Sequence, residues 1–148
     1  MSVILGINTF HAGSSAAVVV DGEPIVALPE ERLNRVKYYA GFPKLAILRC
    51  LEIAGLKFSD IDGVAVGRDS SANLRKKLEF SLRHPGKLLN LARMRSKSKT
   101  FDDMKSLIAS ECEVDTTELK FQTYNVEHHL AHTASAYFIS EWDKCAGI

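Results

Sequence analysis

With 148 residues, 46% of them hydrophobic, the chain has the composition of one globular domain with a real core. A formal net charge of +1 excludes a global attraction to nucleic acid or to an anionic membrane, so electrostatic steering has to come from local clusters. Cys50, Cys112 and Cys145 are odd in number and far apart, matching neither a disulfide framework nor a paired-thiolate zinc site, and read as reduced thiols.

In chain order, the apolar start Val3-Ile4-Leu5-Gly6-Ile7 has no basic region ahead of it, and no apolar stretch approaches the length of a membrane span. Neither secretion nor membrane insertion is expected, and a cytoplasmic location is. Val3 to Asn8 predicts a strand, and Ser15 to Val20 a second one closed by Asp21-Gly22. Asp-Gly between apolar runs is a hairpin signal, because a type I′ turn needs positive φ at both central positions. Pro24 to Leu28 then completes an antiparallel meander. Its first connection, Thr9-Phe10-His11-Ala12-Gly13-Ser14, is dense in hydroxyl, glycine and histidine. Small residues there let backbone N–H groups approach an anion, Ser14 and Ser15 add hydroxyl donors, and a histidine such as His11 moves protons near neutral pH. A plain hairpin loop needs the same small residues merely to turn.

Pro29 to Lys37 carries Glu30 and Glu31 ahead of Arg32, Arg35 and Lys37. Such a run is either a solvated face with i,i+3 and i,i+4 pairs, or it presents the three bases to a phosphate or carboxylate with the two acids orienting them. From Pro43 a helix is expected, with apolar positions Leu45, Ile47, Leu48, Leu51, Ile53 and Ala54 and a stop at Gly55. After a polar turn at Ser59-Asp60, Ile61 to Val66 reads as a buried strand. Between Arg75 and Lys99, nine lysines and arginines face the single acid Glu79, with leucines interleaved and His84-Pro85-Gly86 as a break between two helices. That pattern serves phosphate or acidic-partner binding, or an insertion whose leucines pack while its charges meet water; the lack of stacking aromatics weighs against nucleic acid. A further helix at about Phe101 to Cys112 sets Met104, Leu107 and Ile108 on one face. The expected organisation is a single domain over 1–148 with a basic helical insertion at 72–112. Phe121 to Val126 forms the last strand and delivers a histidine-bearing helix. Cys145-Ala146-Gly147-Ile148 begins another apolar run, the pattern expected of a fragment.

Three histidines crowd into Glu127-His128-His129-Leu130-Ala131-His132. On a helix, His128 and His132 leave the same face one turn apart, and two neutral imidazoles so placed can hold one metal ion. The plainer alternative is a helix start whose histidines bond to backbone carbonyls.

Together, Gly6-Ile7-Asn8, His11-Ala12-Gly13-Ser14-Ser15-Ala16-Ala17, the Asp21-Gly22 turn, Glu30-Glu31-Arg32, Arg35, Lys37, Gly41-Phe42-Pro43 and His128-His129-Leu130-Ala131-His132 with Ser135 and Ala136 resemble the amino-terminal part of the O-carbamoyltransferases of nodulation and antibiotic biosynthesis. The resemblance is strongest over residues 3–66 and 124–138 and weakest across the basic middle.

The resemblance implies an α/β fold, the first half of an actin-like ATPase (ribonuclease H-like) architecture, in which a mixed five-stranded sheet with helices occurs twice. It implies an enzyme that passes a carbamoyl group to a hydroxyl of a small-molecule acceptor, with carbamoyl adenylate made from carbamoyl phosphate and ATP by a second domain. By the same resemblance, His128 and His132 match two ligands of a divalent metal and His11 matches the general base. Ser14 and Ser15 line a phosphate loop, and Arg32, Arg35 and Lys37 either bind the anionic intermediate or acceptor or are structural. Iron, zinc or manganese suits histidine with carboxylate. His129 has no assigned role. The third metal ligand, an aspartate, and the adenylate-forming domain lie beyond Ile148 in such proteins. The remaining polypeptide is therefore an expected partner, the chain alone is expected to be inactive, and its uncovered apolar face is expected to favour self-association. Two other readings stay open. One is a tRNA threonylcarbamoyladenosine-type enzyme, against which Leu130-Ala131 stand where that family carries Glu-Gly. The other is a non-enzymatic nucleic-acid or partner-binding domain centred on 75–99. The carbamoyltransferase reading requires His11 to converge on the histidine pair.

Overall fold

The computed structural model describes residues 1–67 and 103–145. The chain divides into two compact units, Met1–Asp69 with Lys120–Ile148, and Ser70–Leu119. In the first unit, β1 (Val3–Asn8), β2 (Ser15–Val20), β3 (Glu23–Pro29), β4 (Gly63–Val66) and β5 (Gln122–Asn125) form one mixed sheet in the order β3-β2-β1-β4-β5. The β1, β2 and β3 strands pair antiparallel, whereas β4 runs parallel to both β1 and β5. This is the mixed five-stranded α/β sheet expected of one actin-like half.

The meander closes where the Asp-Gly signal placed it, with Asp21 at φ 49° and Gly22 at φ 89°. Side chains alternate across a strand, so directly paired residues share a face. Leu5 sits opposite Val18 and Val64, and Ile7 opposite Ala16 and Val66, and all six are buried. The start of this ladder is pinned by Asp62, whose carboxylate accepts from the Val3 amide at 2.8 Å while its own amide donates to the Val3 carbonyl at 2.9 Å.

One short helix, α1 (Glu31–Asn34), follows β3, and α2 (Lys44–Ala54) packs on β2 and β3 through a face that includes Ala46, Ile47, Cys50 and Leu51. Gly55 ends α2 in the left-handed conformation, as its position after the apolar periodicity predicts. The start of α2 is less ordinary. Pro43 has no side-chain oxygen to offer the first amides, and the buried Glu30 supplies one from upstream, accepting from Leu45 at 3.2 Å and from Ala46 at 2.7 Å.

In the second unit, α3 (Met104–Cys112) begins after Asp103, whose carboxylate accepts from the Ser106 amide at 3.0 Å, and buries Met104, Ile108 and Cys112 at successive i,i+4 positions. A 3-10 turn at Thr116–Glu118 follows. The basic segment 75–99, its two expected helices and most of the expected insertion 72–112 lie outside the described residues. No helix among the described residues is long and apolar enough to cross a membrane.

Candidate active site

Strand direction decides where the chemistry gathers. Because β1 and β5 both run parallel to β4, their carboxyl ends lie at one edge of the sheet, the edge at which open α/β sheets place their ligands. The loop of residues 9–14 leaves β1 there, and α4 (His128–Tyr137) leaves β5 there. Only β4 separates the two strands, a span of roughly 10 Å.

Glu127 starts α4. Its backbone is extended, at φ −60° and ψ 136°, and its carboxylate accepts from the Leu130 amide at 2.8 Å. His128 is therefore the first helical residue, and His132 follows one turn later on the same face. Their Nε2 atoms are 3.2 Å apart. Two imidazoles sharing one tetrahedral ion at about 2.0–2.1 Å stand roughly 3.3 Å apart, so this pair fits a shared cation. His11 reaches the same place from the β1–β2 loop, its ring lying near-parallel to that of His128 at 25° with centroids 5.4 Å apart. All three sequence-predicted histidines thus converge. His11 meets the face of His128, and among the described residues no group of three or more His, Cys, Asp or Glu side chains is placed to hold a metal ion.

His129 turns elsewhere. Its side chain is 88% exposed, and its Nδ1 donates to Glu127 Oε1 at 2.8 Å. A carboxylate can only accept, so this contact fixes the proton on Nδ1. The bond from His129, followed by that from the Leu130 amide, lowers the Glu127 carboxyl from 4.5 to about 2.

The 9–14 loop is fastened more thoroughly than its composition shows. The amides of Gly13 and Ser14 both donate to the Tyr39 carbonyl at 3.1 Å, and the Phe10 amide donates to the Gly41 carbonyl at 3.4 Å. Ser14 Oγ lies 2.7 Å from the Gly41 carbonyl and 3.2 Å from that of His11. This corrects the expectation that Ser14 offers a hydroxyl to an anion. Its side chain is buried and its one hydroxyl proton is committed to backbone carbonyls. Ser15 opens β2, paired with Asn8 and Pro29, and is half-buried. The amides of His11 and Ala12, at the loop tip, make no backbone–backbone bond among the described residues.

Arg32, Arg35 and Lys37 are exposed, and no ion pair engages them among the described residues. The orienting role given to the two acids is not what they do. Glu30 is buried against the α2 amides, and Glu31 Oε2 accepts from the Tyr38 amide at 3.0 Å. Arg35 stands at the end of α1 with φ 64°.

A model of a family described as carbamoyltransferase N-terminus matches residues 3–146. This chain belongs to that family. It is similar to nodulation protein NolNO of Sinorhizobium fredii, at 34% identity over 141 residues, 93% of this chain and 19% of that protein. It is also similar to the uncharacterized protein sll1178 of Synechocystis, at 32% identity over 152 residues, 99% of this chain and 25% of that protein. The chain therefore spans only a fifth to a quarter of the length of these relatives. Among solved structures it resembles YeaZ from Pseudomonas aeruginosa at 16% identity with a TM-score of 0.45, covering 93% of this chain and 50% of that one. In this carbamoyltransferase N-terminal domain, the three imidazoles are supplied by two connections at the carboxyl edge of a single sheet.

Proposed function

We propose that this domain supplies the acceptor-activating side of a carbamoyl-transfer site in a larger enzyme. Family membership supports carbamoyl transfer in general. The finer reading rests on one observation, the meeting of His11 with the His128 and His132 pair. The donor in this reading is carbamoyl adenylate, formed from ATP and carbamoyl phosphate by polypeptide outside this domain. The hydroxyl of a small-molecule acceptor attacks its carbamoyl carbon. A carbon–oxygen bond forms, the bond to the adenylate phosphate oxygen breaks, AMP leaves with the electron pair, and a His11 ring nitrogen takes the hydroxyl proton. A neutral imidazole is the form that accepts that proton. His128 and His132 are the residues that would hold iron, zinc or manganese, and the cation when bound supplies Lewis-acid polarisation of the carbamoyl oxygen. The loop-tip amides of His11 and Ala12 suit the adenylate phosphate, with Arg32, Arg35 and Lys37 as the cations available on the neighbouring segment. These small, phosphorylated substrates fit a cytoplasmic enzyme.

Titration of the chain with zinc, followed calorimetrically, tests the pair. We expect one weak site whose affinity falls at least about tenfold in His128→Ala and in His132→Ala, the lower bound for disturbing even an outer partner of a metal ligand. The site should survive in His129→Ala. Undiminished binding in the double variant at 128 and 132 overturns the metal assignment. With ATP, carbamoyl phosphate and metal, the chain alone should form no carbamoyl adenylate; measurable formation would show that the adenylating step resides here.

A further inference from the structure

We propose that Ser14 is the positioning residue for His11, holding its imidazole against the ring of His128. The proposal rests on the reading of His11 as the general base, and extends it to the residue through which the base is placed. Three backbone segments meet at Ser14. Its amide donates to Tyr39, its carbonyl accepts from the Glu30 amide at 2.9 Å, and its side chain lies 2.7 Å from the Gly41 carbonyl and 3.2 Å from that of His11. The side chain is 1% exposed, so no water replaces these bonds if the hydroxyl is removed. The Gly41 carbonyl in turn takes the Phe10 amide and Thr9 Oγ1, at 3.4 and 3.3 Å, so both residues before His11 hang from the same acceptor. The segment that carries it is itself anchored, because Pro43 leads into α2 and Glu30 clasps the first amides of that helix. His11 is thus suspended between a fixed start at Asn8, whose Nδ2 donates to the Gly13 carbonyl at 3.1 Å, and a fixed end at Ser14. Without the Ser14 hydroxyl, the side-chain bond nearest to His11 is removed, and the tip is left tied by Phe10 and Thr9 on one side and by the Gly13 and Ser14 amides on the other.

The test is the meeting of the two rings itself, read by nuclear Overhauser effects between the His11 and His128 ring protons in the chain without metal or substrate. Ser14→Ala, nearly isosteric, should abolish those effects and the accompanying ring-current shifts while keeping the His128–His132 effect and cooperative unfolding. Ser14→Thr, which restores the hydroxyl, should regain them. Persistence of the His11–His128 effect in a folded Ser14→Ala chain overturns the proposal. Should Ser14→Ala fail to fold, Ser14→Cys, a weaker donor of nearly the same shape, is read the same way: a vanished His11–His128 effect supports the assignment and an undiminished one overturns it. The stacking of these rings is independent of carbamoyl transfer. If zinc titration removes the metal reading while the ring stacking still depends on Ser14, the positioning role stands and the reaction reading falls.

Discussion

Glu30 shows how a residue's work depends on what is left unsatisfied around it. Seen in the sequence it heads a charged run, and a solvated face or an orienting partner for Arg32 is the natural expectation. In the fold it is 3% exposed, because Pro43 leaves the first amides of α2 without a local cap and only a distant carboxylate can reach them. No spacing rule reports a bond across 15 or 16 residues, which is why this role is not legible in the sequence. The same holds for Ser14, whose acceptor at Gly41 is 27 positions away. The histidines are legible because helical spacing is local, and His128 with His132 needs only a helix to become a pair. Replacing Glu30 by Ala orphans two amides in a water-poor place, so urea unfolding should show a loss of about 1–3 kcal/mol. Arg32→Ala, at an exposed position with no ion pair among the described residues, should stay within about 0.5 kcal/mol of the parent. Equal effects for the two would mean that the capping bonds contribute nothing net.

At the scale of elements, the strands and α2 can be read because each announces itself locally, by alternation in β1, by Asp21-Gly22 in the hairpin and by Gly55 after α2. Parallel pairing of β4 with β1 and β5 has no such local mark, yet it is what brings the 9–14 loop and α4 to one edge. The helix α4 depends on its capping residue more than on its core, for no residue in it is fully buried. Glu127 caps it and holds His129, and its carboxyl is lowered from 4.5 to about 2 by those bonds. A carboxyl whose folded value lies below its unfolded value stabilises above the unfolded value and loses that contribution as pH falls through the folded one. Helical amide shifts over residues 128–132 should therefore fade between pH 4.5 and about 2, after global unfolding has been accounted for. The Glu127→Gln variant should lose this pH dependence and start less helical. A variant that titrates like the parent would place the acid-sensitive group elsewhere.

For the molecule as a whole, one group of exposed large apolar side chains lies at the end of the described chain. Leu130 is 60% exposed, Phe138 80%, Ile139 74% and Trp142 63%, all on α4 or just after it. The sheet is covered at β2 and β3 by α2, which buries four residues, so the first unit has a covered core and an uncovered last helix. Large apolar side chains left in water favour association, with a driving force of roughly 25 cal/mol per Å² of apolar surface removed from water. The chain spans 19% of one relative's length and 25% of another's, and we propose polypeptide beyond this domain as the cover in proteins of that length. Alone at high concentration, the chain has only another copy of itself to use. Sedimentation equilibrium should show mass rising with concentration, and joint replacement of Phe138, Ile139 and Trp142 by Ser should return the monomer without changing the zinc affinity of the His128 and His132 pair. A parent chain that stays monomeric up to millimolar concentration would show that these side chains are too scattered to act as one surface, and the loss of zinc binding in the triple variant would show that they support the histidine helix instead.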